Sequence, residues 1–319
     1  MSWWNSQPVF PEKKNTPLWS QIGEIPRFIP HKKYGIYRLN IDYIDAVLDF
    51  INHNYLYGYK LYKDYLERKV SFPGSLCLVL MDDAKIIGFI YSCPLKLNGD
   101  IECAYVDLMT VHKSYRNQGL AKVLISAITN LSNLKYYLHK KDKSQLPFPY
   151  FYKTRHYSGH VPSILFKYKE SMGFELHESG SDNMREVITL YQDWLNNQSD
   201  FKPIVLQNTF ESSSSIKTFI NFENKAMFSF SIFEFQMGFL NRCIIAEIFF
   251  INAQRFDFNF YISMVRCFQN LGIEYAVVQK NSFFSTCIES DEFIESMELY
   301  LHAYNLNIPM CNNIQLPVL

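Results

Sequence analysis

Apolar positions along this chain follow two rhythms, and the change from one to the other marks out the elements. Between Ile41 and Asn52 they recur at 41, 44, 47, 48 and 51, one face of a helix, and Tyr55 to Arg68 has room for a second. Leu76 to Met81 and Ile86 to Cys93 are apolar runs on either side of Asp82-Asp83, which predicts an antiparallel hairpin. Tyr105 to Val111 is a third strand by its aromatic and β-branched content, and Val123, Leu124, Ala127, Ile128 and Leu131 then return to helical spacing. Leu146 to Pro162 is a Pro, Tyr and His segment, and Ile164 to Met172 predicts a short helix with Gly173 as its cap. The polar stretch His177 to Asn183 reads as a seam.

Beyond that seam the order repeats. The pattern predicts a helix over Met184 to Asn196 and strands over Thr218 to Asn221, Met227 to Phe235 and Cys243 to Ile251. A helix from Phe260 to Leu271, closed by Gly272, and a strand from Tyr275 to Val278 follow. Element order recurs while residue identity does not, so two lobes of like construction are expected without a proven sequence repeat. Ser2 to Lys33, with prolines at 8, 11, 17, 26 and 30, reads as an extended arm laid over a domain.

Composition sharpens this picture. A chain of 319 residues, 48% hydrophobic and 17% aromatic, exceeds a comfortable single domain and has ample material for two cores. Lys plus Arg equals Asp plus Glu at 31 each, which removes net charge as a reason to bind nucleic acid. The densest basic run, Lys135 with Tyr136 to Lys143, is of the kind that ordinarily forms a solvated loop, so no nucleic-acid partner is expected. Seven cysteines stand singly with no Cys-x-x-Cys pair, which suggests neither zinc nor a disulfide framework. Reduced core thiols and an N-terminus without an apolar signal run predict a cytoplasmic protein. The longest apolar candidate, Ile244 to Ile251, contains Glu247 and is strand-sized, so no transmembrane segment is expected. His156 and His160 have a metal-like spacing only on a helix, and Ser158, Gly159 and Pro162 oppose a helix there, so no metal is expected.

The candidate chemistry lies at Arg116-Asn117-Gln118-Gly119-Leu120-Ala121, between the third strand and the helix that follows. A helix start offers unpartnered N–H groups and partial positive charge, so an anion suits it. Gly119 admits close backbone approach, Ala121 keeps the first turn small, and Arg116 and Lys113 add charge. Arg-x-x-Gly-x-Ala in this setting resembles the acyl-CoA signature of GNAT-type N-acyltransferases.

Further matches resemble the eukaryotic protein N-myristoyltransferase family. Trp3-Trp4-Asn5-Ser6-Gln7-Pro8-Val9 is similar to that family's Phe-Trp-x-Thr-Gln-Pro-Val arm. Val106 to Arg116 is similar to its Ile-Asn-Phe-Leu-Cys-Val-His-Lys-x-x-Arg strand and turn, and Met297 to Asn305 to its Tyr-x-Leu-Tyr-Asn strand. The resemblance implies an α+β fold of two GNAT-like lobes related by pseudo-twofold symmetry, each a mixed central sheet flanked by helices. Residues 1–35 would be the arm over acyl-CoA, 36–178 the acyl-CoA lobe, and 179–319 the peptide lobe with its C-terminus buried at the active site.

It further implies that myristoyl-CoA is the acyl donor, held by Trp3, Trp4, Val111 and the turn Arg116, Asn117, Gln118, Gly119, Leu120 and Ala121. The backbone of Leu108 and Met109 would stabilise the oxyanion, worth roughly 2.7 to 4 kcal/mol per donor. The carboxylate of Leu319 would accept the proton of an α-ammonium whose pKa of about 8 leaves it mostly charged near neutrality. Thr154 would help hold the acceptor. The implied protein is a monomer that transfers myristate to N-terminal glycine peptides.

Three departures keep alternatives open. Asn117-Gln118-Gly119 replaces the family's Ser-Lys-Arg and fits a GNAT acetyltransferase using acetyl-CoA. Asp107 stands in place of a neutral Asn and the second lobe is short, which fits a non-catalytic acyl-CoA or peptide-binding remnant.

Overall fold

A computed structural model describes residues 3–9, 19–55, 58–98, 100–142, 146, 148, 150–169, 175–197, 202–204, 207–237, 241–252, 258–279 and 292–311. The chain divides into two compact units, Met1–Lys153 with Leu299–Asn312 and Thr154–Glu298 with Asn313–Leu319.

The first unit contains β1 (Gly35–Arg38), α1 (Ile44–Asn54), α2 (Lys63–Ser71), β2 (Leu76–Asp82), β3 (Lys85–Leu97), β4 (Ile101–Val111), α3 (Leu120–Leu131) and β5 (Tyr136–Asp142). Its sheet runs in the order β1-β2-β3-β4-β5 and is completed by residues 299–304 on the outer side of β5. All neighbours are antiparallel except β4 and β5, which are parallel and joined by the α3 crossover. The β2–β3 hairpin closes where the sequence predicts, with Asp83 in the left-handed region at φ 50°.

Alternation along the strands supplies two buried faces. Leu78, Leu80, Ala104 and Val106 pack with Leu120, Leu124, Ile125 and Ile128 of α3. The opposite face takes α1 and α2, whose buried Val47, Ile51, Tyr65 and Leu66 repeat at helical spacing. The described part of the N-terminal arm lies on this unit. Trp3 and Val9 pack against the α3-side core, Val9 bridges to Tyr304, and the Tyr304 hydroxyl donates to Gln7 at 2.8 Å.

The second unit holds β6 (Tyr152–His160, from Thr154 on), α4 (Val161–Lys167), α5 (Met184–Asn196), β7 (Ile216–Asn221), β8 (Ala226–Met237), β9 (Asn241–Asn252), α6 (Phe258–Asn270), β10 (Tyr275–Gln279) and the first half of β11 (Phe293–Tyr304). Its strands run β6-β10-β9-β8-β7, with the β9–β10 pair parallel and spanned by α6. The Phe-rich composition is spent in this core: Phe268 of α6 meets Phe228 and Phe230 edge-on, while Tyr191 and Trp194 of α5 pack on Phe250. The polar stretch at 177–183 lies inside this unit, where His177 and Glu178 pair with Ile220 and Phe219 of β7.

Two segments differ from their expected form. Tyr136 to Asp142, expected as a solvated basic loop, is the interior strand β5, because Tyr137 and Leu138 are fully buried between β4 and residues 299–304. The Pro, Tyr and His segment contains β6, held by its ladder to β10. Of the expected helix from Ile164 to Met172, residues 170–173 lie outside the described residues; α4 begins earlier, with Pro162 in its first turn, where a missing N–H costs nothing.

Candidate functional site

The site of interest in the first unit is an interruption in two ladders at once. Between β3 and β4, Tyr91 pairs with Asp107 and Phe89 with Thr110, so Leu108 and Met109 together oppose the single residue Ile90. This is a β-bulge, and Leu108 adopts φ 51°, a left-handed conformation that is costly for a non-glycine residue. Both polar backbone groups of Leu108 are fixed: its N–H donates to Asp107 Oδ1 at 2.8 Å, and its carbonyl accepts from the buried Thr110 hydroxyl at 3.1 Å. The Leu108 side chain is buried, whereas Met109 is 39% exposed and has no Cα partner in the β3 register.

On the other side of β4, the parallel ladder to β5 ends at Val106 and His139 although both strands continue. Beyond that point β4 is paired only with β3, and β5 only with residues 299–304. Such an opening presents backbone donors and acceptors to whatever enters, and a ligand with its own amide groups can extend the ladder.

The turn after β4 forms the second part of the site. His112 Nδ1 accepts the Ser114 N–H at 3.2 Å and starts a short 3-10 turn over Lys113–Tyr115. Asn117 at φ 64° and Gly119 at φ 78° then reverse the chain into α3. Gly119 is the N-cap, no side chain caps the helix, and a Cβ added there would meet no atom within 4 Å. The Lys122 N–H donates to the Gly119 carbonyl at 3.0 Å, and the start of α3, with no side-chain cap and open space beside Gly119, is of the kind that suits an anion. Burial, and then the charges of Lys85, Arg116 and Lys113, hold His112 below the usual imidazole range.

Among the residues predicted from sequence, Leu108, Met109, Val111 and Arg116 to Ala121 come together on β4 and the turn that follows it. Arg116 is occupied differently from its expected role. Its Nε donates to the Val111 carbonyl at 3.2 Å and its Nη2 to the Asn54 carbonyl at 2.6 Å, so it ties the turn to the end of α1. Leu120 is core and Ala121 half-buried. Trp3 packs on the α3-side core, while the Trp4 side chain and Leu319 lie outside the described residues. Thr154 is buried in the second unit, its hydroxyl directed at the Arg155 carbonyl.

Sequence reasoning missed a charged cluster behind the bulge. Lys69 of α2 is only 4% exposed, with Nζ 4.8 Å from the Tyr65 ring and 4.9 Å from the Tyr91 ring. Burial lowers its pKa, opposed in part by Asp107. Burial alone would push the Asp107 carboxyl up, but Lys140, Lys69 and the Leu108 N–H together hold it below the usual carboxylate range. The neighbouring thiols are protonated, with burial pushing Cys93 up to about 11 and Cys77 up to about 12. The available signal was Lys69 itself, four residues after Tyr65 and three after Leu66 on the apolar face of α2.

Among the described residues no three potential metal ligands cluster, and no helix is long and apolar enough to cross a membrane.

The acetyltransferase (GNAT) domain model matches residues 73–158, the span from just before β2 into β6. Over these residues the fold is that of a GNAT domain. Among solved structures, the chain is similar to Saccharomyces cerevisiae N-myristoyltransferase with bound myristoyl-CoA, at 14% identity and TM-score 0.81 over 96% of this chain and 88% of that one. A second crystal structure of the same yeast enzyme with bound myristoyl-CoA gives 13% identity and TM-score 0.79 over 96% and 93%. A GCN5-related N-acetyltransferase from Kribbella flavida matches less closely, at 8% identity and TM-score 0.51 over 85% and 71%. No curated protein matches by sequence.

Proposed function

We propose that this protein is an acyl-CoA-dependent N-acyltransferase that moves a myristoyl group from myristoyl-CoA to the amino group of an N-terminal glycine. The observation that carries this reading is the likeness to yeast N-myristoyltransferase, with TM-score 0.81 over 96% of the chain, set against 0.51 for the acetyltransferase. The bulge, the opening between β4 and β5 and the uncapped start of α3 support it. In this reading the pyrophosphate rests on the N–H groups after Gly119, with Asn117 and Gln118 beside it. The pantetheine amides enter between β4 and β5, and the acyl carbonyl lies at the Met109 N–H, the Leu108 N–H expected beside it being taken by Asp107. Trp3 and Trp4 belong to the arm that covers the acyl-CoA, and the region from residue 179 receives the peptide.

The amine nitrogen attacks the thioester carbonyl, the oxyanion forms against the bulge, and collapse breaks the C–S bond to release CoA as its thiolate. The proton lost by the amine goes to the carboxylate of Leu319, and Thr154 helps to hold the acceptor. Incubation with myristoyl-CoA and a glycine-initiated peptide is expected to give an N-myristoylated product detectable by mass. Absence of product with acyl-CoA binding intact would refute transfer and leave a binding remnant. Removal of Leu319 is expected to abolish turnover, and unchanged turnover would exclude the terminal carboxylate as base.

A second reading is favoured by Asn117-Gln118-Gly119 and by the GNAT domain match over residues 73–158. Acetyl-CoA would then be the donor. Tighter saturable binding of acetyl-CoA than of myristoyl-CoA would select it.

A further inference from the structure

Leu108 sits in a strained conformation at the point where the proposed reaction needs fixed backbone donors, and strain of this kind persists only where the surroundings enforce it. Asp107 supplies the enforcing bond through its carboxylate to the Leu108 N–H, at 2.8 Å. What fixes Asp107 is legible in the ladder. Its cross-strand partner is Tyr91, and over the Tyr91 ring, at 4.9 Å, lies the buried ammonium of Lys69, whose other neighbour is the Tyr65 ring. A buried ammonium is expensive unless compensated, and the faces of Tyr65 and Tyr91, with the attraction of Asp107, help to compensate it. Lys140 acts on Asp107 from β5, just past the last paired residue of the β4–β5 ladder.

We infer that Lys69 is a positioning residue for the proposed acyl transfer. It acts through Asp107 to hold the Leu108–Met109 bulge in the form that presents the Met109 N–H to the oxyanion. The inference rests on the acyl-transfer reading, but the structural part stands apart from it. The groups that act on Asp107 are Lys69 from α2, Cys93 from β3, Tyr105 on its own strand and Lys140 from β5, with Tyr91 across the ladder, while Tyr65 and Cys77 lie against Lys69 and Tyr91. Burial holds Cys93, Cys77, Tyr91 and Tyr105 protonated around neutrality, so none of them adds a negative charge. The Asp107 carboxylate is thus the one anion of the cluster.

The test is a double-mutant cycle of Lys69→Met and Asp107→Asn in the full chain, read in two ways. Asn retains an acceptor for the Leu108 N–H without the charge that Lys69 orients. With myristoyl-CoA and a glycine-initiated peptide, Lys69→Met is expected to lower kcat on the order of tenfold or more, with acyl-CoA affinity unchanged. In the Asp107→Asn background the same change should cost less than about twofold. The acid limb of the pH–rate profile should move to higher pH in Lys69→Met, because the carboxylate loses one of the cations that keep it ionised.

Hydrogen exchange of the Leu108 amide supplies the second reading and needs no turnover. It should quicken in Lys69→Met and differ little between Asp107→Asn and the double variant. Equal losses from Lys69→Met in both backgrounds, or an unmoved acid limb with unchanged amide exchange, would overturn the inference. If no acyl transfer occurs in the unaltered protein, the amide exchange still decides whether Lys69 holds the bulge. A Lys69→Met chain that fails to fold is replaced by Lys69→Gln, judged by the same two readings.

Discussion

Gly119 meets two demands that no other residue satisfies together. Its φ of 78° turns the chain into α3, and the absence of a side chain leaves the helix start open. Because an added Cβ would meet nothing within 4 Å, Gly119→Ala is penalised by backbone strain alone, about 1 to 2 kcal/mol in urea unfolding. The same substitution is expected to weaken acyl-CoA binding measured by calorimetry, since the N–H groups it tilts are those that would hold the phosphates. Arg116 makes the opposite case. Its two bonds to carbonyls of Val111 and Asn54 predict that Arg116→Ala lowers unfolding stability by about 1 to 3 kcal/mol even without ligand. An arginine serving only as an anion ligand would leave ligand-free stability unchanged. The sequence announced the Gly119 turn because glycine and helical spacing are local signals. The work of Arg116 was hidden because its partner Asn54 is 62 residues away along the chain.

Among the elements, β5 is the most instructive. Its charged residues suggested a solvated loop, yet the strand is interior and carries buried His139 beside His302 across the ladder. Burial, and then His302, lower the pKa of His139 to about 3, well under its unfolded value. Between about pH 6.5 and 3 the unfolded chain therefore binds the proton that the folded chain refuses, so stability falls on acidification through that window. His139→Phe is expected to flatten the pH dependence of unfolding there, by at most about 1.4 kcal/mol per pH unit, as followed by urea midpoints from pH 7 to 4. The helix α3 behaves as its pattern promised: Leu124 is fully buried, and Leu124→Ala should cost about 2 to 5 kcal/mol. Helical period and hairpin were readable because they depend on neighbours within a few residues. Whether a basic run lies inside or outside depends on which strands flank it, and for β5 one of those comes from residues 299–304. The bulge at Leu108 was equally silent, for a register shift is a property of two strands.

At the scale of the whole molecule, the two cycles of elements foreseen from the pattern are present, with α3 and α6 each spanning a parallel strand pair. What the pattern did not reveal is how the chain is shared. The first unit is finished by residues 299–304, whose Leu299, Leu301 and Tyr304 are buried and pair with β5. A fragment ending at residue 153 therefore lacks one wall of its own core and leaves β5 with an open edge. It is expected to be unfolded or aggregated by circular dichroism and light scattering, and addition of a peptide covering residues 299–312 should restore structure. A soluble, cooperatively folding fragment 1–153 would show that this strand is dispensable. The same connectivity sets a timetable for synthesis. Some 145 residues are translated between the end of Lys153 and the strand that closes the first unit, so this unit must wait on the ribosome, with an edge to shield, until that distant partner segment has been made.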